Sequence, residues 1–134
     1  MQSIRNMYRK AMQIAVAPFG LAGKIYRGYP YRTALGGYVV KVEDHHGLHI
    51  LDPGPSQDLR NHSPDGFAWG YGGSGPAQLA LALLLDATGN PGLALRDYQA
   101  FKNQVIAGLH PDRPWSYSRE QVLQWVGAQD LLEA

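Results

Sequence analysis

Residues 62–85 read H-S-P-D-G-F-A-W-G-Y-G-G-S-G-P-A-Q-L-A-L-A-L-L-L, a glycine-dense turn that leads directly into an apolar run. Leucine and alanine cover nearly every side of the predicted helix, 76–88, which is typical of a helix buried all round. Pro76 is tolerated in a first helical turn, and Gly89 is a common helix terminator. Spanning a membrane takes about 18 apolar residues or more, so the shorter run 79–85 predicts a core helix.

An antiparallel hairpin is predicted upstream, over about residues 38–52. Its two β-prone runs, 38–43 and 48–51, are joined by Asp-His-His-Gly at 44–47, which has the composition of a hairpin turn. We expect the alternating apolar side chains of both strands to share one face: Tyr38, Val40, Val42, Leu48 and Ile50. The earlier run 24–31 contains Gly28 and Pro30, which favours an irregular or edge strand over a central one.

Two further helices are predicted after Gly89. One opens at Asn90-Pro91, and the other follows Ser118, which with Gln121 has the form of a capping box. The whole pattern predicts an α+β fold, in which a small antiparallel sheet packs on the buried central helix, about 76–88, with two C-terminal helices beside it.

The length of 134 residues predicts one domain, 24–134, preceded by a basic extension, 1–23. Residues 1–30 carry five basic residues and no acidic one, which suits either a solvated extension or a surface for nucleic acid or an acidic partner. Helical spacing of apolar residues in the extension predicts a short amphipathic helix: Ile4, Met7, Tyr8 and Met12.

The composition excludes several classes of protein. There is no cysteine, so no disulfide or thiolate chemistry is expected and a cytoplasmic location is the default. A net charge of +1, without basic patches interleaved with aromatic residues, argues against nucleic acid as the main partner. No segment predicts a membrane partner or a cofactor, and self-association is left open.

Three known glycine motifs do not fit the turn. Gly70, Gly72 and Gly75 match the dinucleotide spacing, but the βαβ context is missing. Pro76-Ala77 replaces the lysine and hydroxyl residue of a P-loop, and the nucleophile elbow fails at Pro76 as well.

General physical chemistry nevertheless predicts an anion site here, because helix-start amides carry unsatisfied N–H groups and a positive dipole end. The candidate ligand-binding residues are Trp69, Tyr71, Gly72, Gly73, Ser74, Gly75, Gln78 and Arg27. A purely architectural reading is also open: Ser74 caps the helix, the aromatic residues pack in the core, and Gln78 satisfies a loop carbonyl instead of a ligand. Arg27, Arg32 and Arg60 are candidates to converge on a phosphate.

Histidine chemistry offers a weaker alternative. His62 is a candidate general base with Asp65 as its orienting partner, although Ser63-Pro64-Asp65-Gly66 also reads as a turn. The hairpin histidines show no firm metal-ligand spacing, so no metal site is predicted.

The motif in residues 62–85 resembles a family of uncharacterised bacterial, phage and plasmid proteins, a domain of unknown function with a motif close to H-S-P-x-G-F-x-W-G-Y-G-G-S-G-P-A-Q-L-A-L-A. The similarity extends more loosely over 24–125 and leaves out 1–23. It implies no established activity, but it implies a mobile-element setting, in which small domains act on host machinery by binding.

The sequence therefore favours a non-catalytic binding module that captures a phosphate-bearing small molecule or nucleotide at the glycine-rich turn. Two alternatives are a protein–protein inhibitor of a host defence complex, acting through the hairpin or the basic segment, and a small hydrolase that uses His62.

Overall fold

A computed structural model describes residues 23–133, so the helix predicted in the N-terminal extension lies outside the described residues. The elements in chain order are β1 (Ile25–Arg32), β2 (Tyr38–Asp44), β3 (Gly47–Ile50), α1 (Gly54–Leu59), α2 (Ser74–Thr88), α3 (Pro91–Gln104), a 3₁₀ turn (Ile106–Gly108), β4 (Trp115–Ser118) and α4 (Arg119–Glu133). The predicted α+β class is confirmed.

The four strands form one antiparallel sheet in the order β3-β2-β1-β4, so β1 is central and the predicted edge position is wrong. β4, for which the sequence analysis predicts no strand, supplies the second neighbour. It pairs with β1 only as far as Gly28, so Pro30 lies where β1 has a single neighbour and its missing N–H breaks no ladder bond to β4. The pairing with β2 is irregular in the same place, between Tyr29 and Arg32.

The predicted hairpin is present, but the predicted face of its second strand is wrong. Because the turn has only two residues, Lys41 pairs with Ile50 and Glu43 with Leu48. Cross-strand partners share a face. Leu48 and Ile50 therefore lie on the side of the sheet away from the helices, the open face, with exposed fractions of 55% and 59%, while Val42 is buried on the core face.

The core lies between the core face of the sheet and α2, with α3 and α4 packed around that helix. Its largest fully buried side chains are Trp69, Tyr26, Phe101, Leu79, Leu81, Leu83, Leu84, Ile106, Gln78, Val40, Val42 and Val122. Among the residues described, no helix combines the length and apolar composition that a membrane crossing requires.

Local signals at the helix ends correspond closely to the observed boundaries. Gly89 ends α2 in the left-handed region, with φ of 64°. The Asn90 side chain caps α3 by accepting from the Leu93 amide. Ser118 and Gln121 form the reciprocal capping box, since each side chain accepts the other residue's amide N–H.

Candidate functional site at the start of the central helix

The glycine-rich turn is an exposed surface segment at residues 71–74. Tyr71 is 54% exposed, and its ring lies against Gly73, where an added Cβ would be 2.4 Å from a ring carbon. The space beside Gly72 is open. The amides of Gly72, Gly73 and Ser74 make no hydrogen bond to the described part of the chain, whereas the Ala77 amide already donates to the Gly73 carbonyl. Three consecutive N–H donors at the positive end of α2 therefore have no partner in the described part of the chain.

Ser74 does not cap this helix. It is the first residue of α2, and the N-cap is Gly73, so no side chain satisfies the first amides. Of the four glycines in the turn, only Gly70 has a positive φ, 87°. Gly75 serves a different purpose, because an added Cβ would be 2.6 Å from the Cβ of Ala68. Gly75 thus lets the first turn of α2 pack directly on the preceding segment.

Trp69 is a core residue with no exposed surface. Its ring lies 4.8 Å from that of Tyr38 and meets Trp115 edge-on at 5.5 Å. Its indole N–H donates to the carbonyl of His110 at 3.2 Å. The side chain therefore fixes the turn from below and has no face left for an external molecule.

Gln78 is a fully buried hub that ties α2 to the segment between α1 and the turn. Its Oε1 accepts from the amides of His62 at 2.8 Å and Ser63 at 3.1 Å. Its Nε2 donates to Ser56 Oγ at 2.9 Å and to the Arg60 carbonyl at 3.2 Å. Every hydrogen-bonding position of the amide is used, so of the two predicted roles for Gln78 the structure has the internal one.

His62 is held at the surface by this hub and pairs with a residue that the sequence does not suggest. Its Nε2 lies 2.7 Å from the phenolic oxygen of Tyr98 on α3. No hydrogen bond or ion pair in residues 23–133 joins His62 to Asp65, whose carbonyl instead accepts from the Gly37 amide. When the Tyr98 hydroxyl donates to Nε2, the imidazole is neutral and its Nδ1 carries the proton.

Two cations without ion pairs flank His62. Burial lowers the pKa of His62, and the charges of Arg60 and Lys102 lower that pKa further, with no carboxylate opposing them. Neither Arg60 nor Lys102 forms an ion pair within the described residues. At neutral pH the histidine is therefore uncharged, and the surface around it is positive.

This cationic group lies beside the first turns of α2. Gln78, which holds His62, follows Ser74 by one turn on the same side of the helix. α3 runs antiparallel to α2, so Lys102, near the end of α3, lies toward the start of α2. The glycine turn also donates to the Ile106 carbonyl just beyond α3. We name this group the helix-start site: Arg60, His62, Lys102 and the amides of residues 72–74.

Arg27 lies elsewhere, on the open face of the sheet, where its guanidinium pairs with Glu43 at 2.9 Å. Arg32 stacks over the ring of Tyr38. The three arginines considered from the sequence therefore do not converge.

The sequence analysis missed two residues of the site, Lys102 and Tyr98. No local pattern on α3 indicates that Tyr98 contacts His62, a residue 36 positions earlier in the chain. Within residues 23–133, no three histidine, aspartate or glutamate side chains are close enough together to hold a metal ion.

Acidification is expected to destabilise the protein through His62. The folded-state pKa is below the ordinary value of 6.5, so the unfolded chain binds more protons at and below that pH. The free energy of unfolding should therefore fall as the pH drops from about 7.5 to about 5.5. Urea midpoints measured across this range test the effect. A His62→Gln variant with the wild-type pH dependence would contradict it.

The fold and this site define a small α+β protein whose central helix starts from an exposed glycine turn. A family model described as a family of unknown function, DUF6166, matches residues 26–128, and the chain belongs to that family. This confirms the expected membership of a domain-of-unknown-function family. No curated protein and no solved structure matches the chain.

Proposed function

We propose that the chain is a non-catalytic binding module that captures a phosphate-bearing small molecule or nucleotide at the helix-start site. The observation that carries the proposal is that Arg60 and Lys102 form no ion pair within residues 23–133 and lie toward the same end of α2 as three amides that donate to no described residue. Backbone N–H groups at a helix start bind oxyanions, and arginine binds phosphate in a bidentate manner.

The parts of the site have separate roles. The amides of residues 72–74 would each donate to one phosphate oxygen. The side chains of Arg60 and Lys102 would neutralise the negative charge of the phosphate group. The Nδ1 of His62 makes no hydrogen bond in the described part of the chain and would donate to the same group. The exposed ring of Tyr71 is positioned to stack on a base.

The buried residues among the candidates predicted from the sequence would not contact the ligand, but they hold the helix-start site in place. Gln78 positions His62, Gly75 sets the helix close to Ala68, and Trp69 supports the turn. Because the site holds only donors and cations, the proposed mechanism is sequestration, and the mobile-element setting is part of the proposal.

Calorimetry and thermal unfolding with inorganic pyrophosphate test the site. Pyrophosphate is expected to raise the Tm of the wild-type protein, more at low than at high ionic strength. The double variant Arg60→Ala, Lys102→Ala is expected to bind about tenfold more weakly, since two charge-assisted contacts are lost. A following series of mono-, di- and cyclic nucleotides defines the base and the phosphate number preferred.

The matched control is the double variant Arg27→Ala, Lys41→Ala, which removes the same charge from the open face of the sheet. It should bind pyrophosphate as the wild type does. An equal loss in both double variants would show that only net charge matters and would contradict the proposal, as would a wild-type protein that no phosphate compound stabilises. Cleavage of the added compound that depends on His62 would favour the hydrolase alternative.

A further inference from the structure

β3 is a free edge of the sheet. It has one neighbour, β2, and no other described strand lies beyond it. All four of its residues are exposed. An unprotected edge of this kind presents backbone N–H and C=O groups that can pair with another strand.

The backbone groups that point outward can be identified. Alternate residues of an antiparallel strand direct their N–H and C=O groups to opposite sides. The Leu51 amide donates to the Val40 carbonyl at 2.8 Å, so Leu51 and His49 face β2. Leu48 and Ile50 therefore direct their backbone groups away from the sheet, and these groups form the pairing edge.

The same two residues carry exposed apolar side chains on the open face. Because a strand added beside β3 would continue the sheet, every second side chain of that strand would lie next to Leu48 and Ile50. These positions favour apolar residues in the added strand.

The intervening side chains of such a strand would point to the other side of the sheet, where there is a groove of about 210 Å³ beneath β3. Its lining includes His49 from β3, Pro55 from α1 and Leu85 from α2, and two carboxylates, Asp52 and Asp86. The groove is thus lined by apolar side chains together with two carboxylates.

One oxygen of each carboxylate is available. Asp52 Oδ1 accepts from the Gly54 amide, and Asp86 Oδ2 accepts from Lys24 Nζ at 3.1 Å and from the Tyr26 hydroxyl at 2.6 Å. Asp52 Oδ2 and Asp86 Oδ1 make no hydrogen bond within residues 23–133. Asp86 is paired with Lys24 at 3.1 Å, and Arg119 is close by, since its guanidinium donates to the Ala87 carbonyl. Asp52 forms no ion pair within residues 23–133, so it is the carboxylate of the groove whose charge is left without a cation there.

We infer that β3 is the docking edge for an extended segment of a partner protein, with apolar side chains against Leu48 and Ile50 and a lysine or arginine in the groove beside Asp52 and Asp86. The segment adds a fifth strand to the sheet through main-chain hydrogen bonds, and the groove selects its basic residue. This surface is independent of the helix-start site, so neither proposal depends on the other.

The probe is the synthetic peptide acetyl-Thr-Val-Lys-Val-Thr-amide, titrated into the ¹⁵N-labelled full chain. Its valines and its lysine alternate as the two sides of β3 require. Amide shifts are expected at residues 48–52 and at Asp86, and replacing lysine by glutamate in the peptide should weaken binding about fivefold. Asp52→Asn, which keeps the acceptor for Gly54, should reduce this preference, and Ile50→Ser should reduce binding of either peptide.

Leu35→Ser is the matched control, since Leu35 is 69% exposed but lies in the β1–β2 turn, away from β3. It should bind the lysine peptide as the wild type does. The inference is overturned if neither peptide shifts residues 48–52, or if both bind equally to wild type. It is also overturned if these amides shift on dilution of the protein alone, because a second copy then occupies the edge.

Discussion

Replacing Gln78 by leucine is expected to lower the free energy of unfolding by about 3 kcal/mol. The volume of the two side chains is similar, so the loss comes from four backbone and side-chain groups that lose their partner. An unsatisfied buried polar group costs about 1–3 kcal/mol, and the groups nearest the surface recover part of this by binding water. Urea unfolding followed by circular dichroism measures the change.

The matched control for this prediction is Gln99→Leu, which makes the same substitution at an exposed position of α3. It should change stability by less than about 0.5 kcal/mol. A loss below about 1 kcal/mol in Gln78→Leu would mean that water replaces the amide at all four partners, and Gln78 would not be the hub described above.

The Gly75→Ala variant is expected to lose about 2 kcal/mol, although alanine is a better helix former than glycine. The added methyl group would meet the Cβ of Ala68 at 2.6 Å and its backbone nitrogen at 3.1 Å, and neither can move aside without shifting the chain. Thermal unfolding should show the change as a lower Tm.

Gly72→Ala is the control within the same turn, because nothing lies within 4 Å of the added Cβ. Its stability should stay within about 0.5 kcal/mol of the wild type, and its pyrophosphate binding should be unchanged, since the amide N–H is kept. Equal losses in the two glycine variants would show that the turn resists substitution for a reason other than contact with Ala68.

Where two partners are close in sequence, the sequence was enough to predict the structure. Gly89 ends the central helix, Asn90 caps the next helix, and the capping box forms between residues three apart. Each of these features depends on backbone geometry within one turn. The same holds for the hairpin, whose location was predicted, although its two-residue turn reverses the face on which Leu48 and Ile50 lie.

Partners that are distant in sequence could not be predicted in this way. The contact of His62 with Tyr98 spans 36 positions, and that of Gln78 with Ser56 spans 22. Both depend on how α1 and α3 pack against α2, which periodicity does not encode. For the same reason the cations of the proposed anion site could not be predicted: Lys102 was not considered as a site residue, and Arg27 was assigned to the site although it lies on the open face.

The strand order has a consequence for synthesis of the chain on the ribosome. Ile25 pairs with Ser118, a contact of high sequence separation. β1 is therefore synthesised roughly 90 residues before its partner strand β4. Until β4 emerges, one side of β1 is unpaired, and Trp69 lacks the indole of Trp115. A product that terminates before Trp115 would keep both surfaces uncovered, and we expect chaperones and proteases to recognise it.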